Sequence, residues 1–184
     1  MLFTEETQRL LLKVHGEDHA AEVLAFNNAN RDHLRPFEPQ VSDAFYTLAY
    51  QQKLLSYEFQ EIMKGNTIRY YLYLKSDPTH IIGSVNLTGI LRGPFCKASL
   101  GYKLDSHMVG YGYASEAVIH LLEIARTDLK LHRIEARVVP ENHPSIALLN
   151  RLHFQYEGIE YQGVKIKDIW RDLLRYSIIL EQTP

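Results

Sequence analysis

The period of the apolar positions changes several times along the chain, and each change marks an element. Arg9 to Val14 is a short apolar run that fits a strand. From Glu17 to Asn30 the spacing turns helical, with Ala20, Val23 and Leu24 on one face. Arg35-Pro36-Phe37-Glu38-Pro39 breaks the chain, because each proline fixes φ and lacks an N–H. Ser42 or Asp43 suits the N-cap of a second helix that runs to about Lys64 and stops at Gly65-Asn66. Thr67 to Leu74 and His80 to Leu91 predict two strands around Ser76-Asp77-Pro78. After the Gly93-Pro94 turn, Ala98 to Leu104 predicts another.

The clearest helix is Ala114 to Asp128, where Ala114, Ala117, Val118, Leu121, Leu122 and Ala125 form one apolar stripe. Arg133 to Val139 reads as a strand, Pro140 to Pro144 as a loop, and Ser145 to Leu152 as a short helix. Phe154 to Leu180 reads as two strands joined around Tyr161 to Lys167. The predicted order is β-α-α-β-β-β-α-β-α-β-β, a mixed α/β arrangement. No repeat, low-complexity stretch or linker interrupts it, so residues 1–184 are expected to form a single domain.

Composition narrows the functional classes. Formal net charge is -2, from 20 basic and 22 acidic side chains, which gives no support for binding nucleic acid through phosphate contacts. A single cysteine, Cys96, rules out an intrachain disulfide and suits a reducing compartment. Met1 to Lys13 carries Glu5, Glu6 and Arg9 and does not read as a signal peptide. No apolar run approaches the roughly 20 residues of a membrane span. A cytoplasmic protein that does not enter a membrane is expected. His15 and His19 lie four apart but outside any metalloprotease motif, and no metal site is expected. Tyr70, Tyr71 and Tyr73 fit strand packing better than a base-stacking platform. Lys165, Lys167, Arg171 and Arg175 fit a solvated hairpin face.

The candidate chemistry lies where the strand ending at Leu104 passes through Asp105 to Val109 into Gly110-Tyr111-Gly112 and then into the best helix. Glycine permits unusual dihedrals and close backbone approach. The first N–H groups of a helix lack partners within it and point outward, forming an anion site suited to a diphosphate. A dinucleotide fingerprint would need a small third residue near Ser115, early in a βαβ unit, and a P-loop would need Gly-Lys-Ser/Thr; neither is present. Taken alone, the two glycines are equally compatible with a tight connection that binds nothing.

The surroundings decide between these readings. His107-Met108-Val109-Gly110-Tyr111-Gly112 resembles the Q/R-x-x-G-x-G/A signature of the GNAT acetyltransferase superfamily, with His107 departing at the first position. Gly101-Tyr102-Lys103-Leu104 before the turn, and Gly112-Tyr113-Ala114-Ser115-Glu116-Ala117 after it, are similar to the branch that acetylates ribosomal-protein N-termini on serine or alanine (RimJ/RimL-like). Thr7 to Leu12 resembles that branch's opening strand. Asn142-His143-Pro144-Ser145 matches its N-x-x-S motif, and Trp170-Arg171-Asp172 its late W-x-D. Leu152-His153-Phe154-Gln155-Tyr156-Glu157-Gly158 matches its L-G-F-x-x-E-G, with His153 in place of glycine.

The resemblance implies a mostly antiparallel mixed sheet of about six to seven strands with about four flanking helices. It implies direct transfer of acetyl from acetyl-CoA to an amine in a ternary complex, without a metal. The amine would be a ribosomal-protein or peptide α-amine. Small amines such as polyamines or antibiotics, and a CoA-binding regulator without catalysis, are the alternatives. The chain would act as a monomer or homodimer.

The strand carrying Leu100, Tyr102 and Leu104 would splay from the strand after Leu131 and pair with the pantetheine arm. Backbone amides of Val109, Gly110, Tyr111, Gly112, Tyr113 and Ala114 would hold the pyrophosphate. His107 is either a phosphate contact or a solvent-facing loop residue. Asn142 would touch the cofactor arm and Ser145 would serve the leaving sulfur; spacing alone favours a loop-shaping role for Asn142 and a helix start for Ser145, and the resemblance reverses that preference. Glu160 is a candidate base, since the later Gly163-Val164-Lys165 contains no acid. Glu38 is a candidate to attract the acceptor's ammonium, with a capping or surface role as the alternative. Glu157 and Asp172 are expected to accept structural hydrogen bonds.

Overall fold

The computed structural model describes residues 3–180, and one mixed sheet runs through them. Its strands are β1 (Thr4–Glu6), β2 (Leu10–Lys13), β3 (Ile68–Leu74), β4 (Gly83–Leu91), β5 (Lys97–Leu104), β6 (Arg133–Val138), β7 (Gln155–Ile166) and β8 (Ile169–Ile179). Their spatial order is β1-β2-β3-β4-β5-β6-β8-β7. The helices are α1 (Ala20–Ala29), α2 (Arg31–Leu34), α3 (Leu48–Met63), α4 (Tyr113–Thr127) and α5 (His143–Arg151).

Among the described pairs, β5 and β6 alone run parallel. A parallel pair needs a crossover, and α4 supplies it. Strand alternation sends β3 side chains to both faces. Ile68, Tyr70 and Leu72 join α4 and α5 in the main core, while Tyr71 and Tyr73 pack on α1 and α3. The three tyrosines are therefore core residues, as their alternation implies.

The mixed α/β class matches expectation, but eight strands and five helices replace the six to seven and four foreseen. The extra strand, β1, is Thr-Glu-Glu, with no apolar pattern to reveal it; it forms by backbone pairing to β2, Thr4 opposite Lys13. The extra helix, α2, is one turn just before the proline break. The second long helix begins at Leu48 rather than at Ser42 or Asp43. Thr47 takes the cap, its hydroxyl accepting from the Tyr50 N–H at 3.4 Å, while Ser42 opens only a 3-10 turn, Asp43–Tyr46.

The terminal hairpin also differs. β7 continues through Ile166, and the chain reverses at Lys167 and Asp168, both left-handed at φ 48° and 63°. The segment that resembles a turn, around Gln162 (φ 50°), is a bulge whose Gln162 N–H donates to Asp172 Oδ1 at 2.8 Å. His153, where the related motif has glycine, takes φ 61° just past α5, the conformation glycine supplies freely.

Candidate active site

The site begins as a gap in the sheet. β5 and β6 pair from Lys97↔Arg133 to Leu100↔Ala136 and no further. Beyond Leu100, β5 pairs with β4 alone, while β6 continues to Val138 against β8. Below the split, Lys97 Nζ reaches across to Glu135 Oε1 at 3.1 Å, and Arg133 holds the same oxygen at 2.9 Å. Above it, a cavity of about 570 Å³ opens between the strands. That volume suits a ligand of small-molecule size. Leu100, Tyr102 and Leu104 line one wall, Ala136 and Val138 the other.

One end of the cavity is the glycine turn. Gly110 and Gly112 have φ of 92° and 83°, left-handed values that any side chain would strain. Space is not the constraint: a Cβ on Gly110 would meet nothing within 4 Å, and one on Gly112 only Arg9 Nη2 at 3.5 Å. Gly112 is the N-cap of α4 and offers no side-chain acceptor, so the first N–H groups of that helix remain available. Val109, Gly110, Gly112, Ala114 and Ser115 line the cavity. Tyr111, Tyr113 and His107 do not. The Tyr111 ring stacks on Tyr113 at 5.9 Å, and the exposed His107 gives its backbone N–H to Asp105 at 2.8 Å.

The turn is tied down from a distance. Glu116 Oε1 accepts from the Thr7 hydroxyl at 2.6 Å and from the Arg9 N–H at 2.8 Å, while Oε2 accepts from Arg9 Nε at 2.7 Å. Arg9 also donates to the Tyr111 carbonyl at 3.0 Å and lies over the Tyr113 ring at 4.5 Å. Burial alone would raise the Glu116 pKa, but its hydrogen bonds from Thr7 and Arg9 outweigh this and hold it below the usual range. A second latch sits at the end of β5. The buried Asn30 donates to Asp105 Oδ2 at 2.9 Å and accepts from the Ser106 N–H at 3.0 Å. Arg9, Thr7, Glu116 and Asn30 thus position the turn, a role that residue-by-residue reading missed because each partner is far away in sequence.

At the middle of the cavity stand Tyr102, Asn142 and Ser145. Asn142 Oδ1 caps α5 by accepting the Ser145 N–H at 3.2 Å. That leaves its amide nitrogen as a donor. The Tyr102 hydroxyl lies 2.6 Å from Ser145 Oγ and also donates to the Ser145 carbonyl at 3.3 Å. Burial pushes the Tyr102 hydroxyl up to about 12, against a smaller lowering by Ser145. The phenol therefore stays protonated at neutral pH and orients the serine.

The other end is built from side chains. His33, Leu34, Phe37, Glu38 and Pro39 come from α2 and the loop after it, Lys103 from β5, Arg137 from β6, and Val164 and Leu173 from the hairpin. Lys103 Nζ lies 3.5 Å from Glu38 Oε1 and donates to Asn27 Oδ1 at 3.3 Å. Its side chain is only 15% exposed, and burial lowers its pKa although Glu38 opposes the shift. Glu160, the candidate base, is not brought into the cavity lining. Its Oε2 accepts from Arg137 Nε at 2.9 Å. Glu157 is likewise structural: it accepts from Arg133 and from the Ser177 hydroxyl, and its pKa is lowered, chiefly by Arg133.

The remaining reactive-looking groups serve packing. His15 stacks on His19 at 4.0 Å and meets the Tyr73 hydroxyl at 2.7 Å, and burial holds its pKa near about 4, so the ring is neutral at physiological pH. Cys96 gives its thiol to the Gly93 carbonyl at 3.0 Å. Lys165 pairs with Asp168 at 2.9 Å, and Arg171 pairs with Glu141. No group of three or more potential metal ligands occurs among the described residues, and no described helix is long and apolar enough to cross a membrane.

A split sheet facing a glycine-capped helix is the geometry the sequence resemblance anticipates, and comparison with known proteins decides its lineage. The Acetyltransferase (GNAT) domain family model matches residues 9–155. The chain belongs to the GNAT acetyltransferase family. It is 36% identical to the probable N-acetyltransferase YjcK of Bacillus subtilis (strain 168) over 153 residues, 83% of this chain and 84% of that protein. Among solved structures it is similar to the ribosomal-protein-S5-alanine acetyltransferase from Vibrio fischeri, with a TM-score of 0.91 and 28% identity over 98% of this chain and 99% of that one. It is also similar to Mycobacterium smegmatis RimJ in complex with CoA-disulfide, with a TM-score of 0.88 and 28% identity over 95% and 84%. This acetyltransferase therefore shares its whole described fold with RimJ/RimL-like enzymes.

Proposed function

We propose that this enzyme moves the acetyl group of acetyl-CoA directly to the α-amine of a protein or peptide N-terminus, with a ribosomal protein as the acceptor. The observation that carries the proposal is the continuous cavity, which runs from the glycine turn, past Tyr102 and Ser145, to the loop holding Glu38. Backbone N–H groups from Val109 to Ala114 hold the pyrophosphate, as expected of left-handed glycines at a helix start. The unpaired edge of β5, from Leu100 through Tyr102 to Leu104, pairs with the pantetheine arm, and the Asn142 amide donates to it. A backbone N–H of that edge also faces the thioester oxygen, where negative charge develops.

In the reaction the amine nitrogen bonds to the acetyl carbon, and the bond from that carbon to sulfur breaks. The Tyr102 hydroxyl lies 2.6 Å from Ser145 Oγ; with Tyr102 as the donor of that pair, the serine hydroxyl is free to face the departing sulfur. A thiol has a reference pKa of about 8.5, far below that of the buried phenol. Tyr102 therefore supplies a hydrogen bond through Ser145, while the proton that ends on sulfur comes through water. An α-amine has a reference pKa of about 7.7–8.0, so part of it is already neutral near pH 7 and its departing proton can go to water. Glu38 attracts the ammonium form to the cavity.

Incubation with acetyl-CoA and a panel of N-terminal peptides tests this. Release of free thiol, with one acetyl on the peptide α-amine, is expected. Thiol release with polyamines or aminoglycosides but no peptide would replace the acceptor class. Tight acetyl-CoA binding by calorimetry without transfer to any amine would replace the enzyme with a regulator.

A further inference from the structure

The charges around the acceptor end select among amines. Of the six charged or titratable side chains lining the cavity, Tyr102 faces Ser145, and Arg151 stands at the glycine-turn end, where it donates to the Ser115 hydroxyl at 3.4 Å. His33, Glu38, Lys103 and Arg137 stand at the acceptor end. There one carboxylate meets two basic side chains, and that carboxylate is already shared with Lys103 at 3.5 Å. Arg137 is offset from outside the lining by Glu160, through Nε; its terminal nitrogens have no hydrogen-bond partner among the described residues. Lys103 is poorly solvated and its other polar partner is the neutral Asn27, while nearby Arg69 is offset by its own partner Glu58 at 3.3 Å.

We infer that the acceptor carries an anionic group within a few residues of its α-amine, so that its ammonium meets Glu38 while its carboxylate meets Lys103 and Arg137. The inference rests on the peptide reading above and deepens it. A polycation would bring further positive charges against Lys103 and Arg137 with only Glu38 to receive them, and like charges in a partly desolvated cavity repel strongly. An acidic peptide supplies both signs in the order in which the cavity presents their complements.

The test uses the full-length enzyme, acetyl-CoA and matched peptides that begin with the same residue and carry Glu, Gln or Lys at the second or third position. The Glu peptide is expected to show a kcat/KM roughly five- to tenfold above the Gln peptide, with the Lys peptide lower still. The ratio should shrink as salt is raised, because the sites are partly open to solvent. Lys103→Met should collapse the Glu-to-Gln ratio toward one, and Lys103→Arg should keep it. The wild-type peptide series alone decides the matter if Lys103→Met does not fold. Equal rates for Glu, Gln and Lys peptides would overturn the inference while leaving peptide acetylation intact. Polyamine turnover exceeding that of every peptide would overturn both.

Discussion

The two ends of the cavity are made from different materials. At the glycine-turn end the groups on offer, which the proposed function assigns to the cofactor, are main chain: N–H groups at the start of α4 and the free edge of β5. At the acceptor end they are side chains on a loop, a strand and a hairpin, namely Glu38, Lys103, Arg137, Val164 and Leu173. Main-chain groups do not change with sequence, so His107 at a motif position leaves the N–H groups at the start of α4 in place. The second end is rewritten by each substitution. A cosubstrate common to a family and an acceptor particular to one member call for that division.

Gly112→Asp tests the comparison most severely. It forces a side chain into φ 83° and puts a negative charge beside the proposed phosphate. Acetyl-CoA affinity measured by calorimetry should fall by roughly a hundredfold, with Gly112→Ala, which adds strain but no charge, falling less. Near-normal affinity in the aspartate variant would move the pyrophosphate elsewhere. Ser145→Ala lies at the junction of the two ends. It should lower kcat by roughly ten- to hundredfold with little change in acetyl-CoA affinity, and Tyr102→Phe should do the same more weakly. A binding defect alone would make both residues scaffolding for the arm.

The pH profile comes next. With no carboxylate base assigned, kcat/KM for a peptide should rise about tenfold per pH unit and level off near the reference pKa of the amine, about 8. A plateau reached by pH 5 or 6 would point to a protein carboxylate as the base. Glu38→Gln should have the smallest effect. It should raise KM for peptide about three- to fivefold and leave acetyl-CoA affinity unchanged, which isolates the acceptor end. A matching loss of acetyl-CoA affinity would blur the division between the ends.

What could be read in the sequence follows the same division. The α4 stripe, from Ala114 to Ala125, and the two glycines are local signals, and both stand where the pattern puts them. So does the strand carrying Leu100, Tyr102 and Leu104, including its separation from β6. Non-local features were not legible. Thr7 and Arg9 reach Glu116 across 109 and 107 positions, and no periodicity encodes that. Glu160 reads as a candidate base because it is an acid near the cleft in sequence, but its carboxylate is held by Arg137, a partner 23 positions away. Tyr161 to Lys167 reads as the join between the last two strands, yet the reversal falls at Lys167-Asp168, and Asp172 holds Gln162 in a bulge. In sequence Lys103 is one more lysine on a strand; only packing against Asn27 and Glu38 reveals it as a charge in the cavity wall.

The split between β5 and β6 has a consequence for the enzyme at rest. A sheet that opens partway along two neighbouring strands carries an interior edge, with backbone groups that water must serve until something extended lies against them. Any ligand that completes this edge acts as a removable strand, and its binding free energy adds to folding stability. At a hundredfold excess over its Kd such a ligand contributes about 2.7 kcal/mol. The melting temperature of this protein should then report the concentration of its acyl donor, and the folded population should vary with supply of that donor even when no acceptor is present.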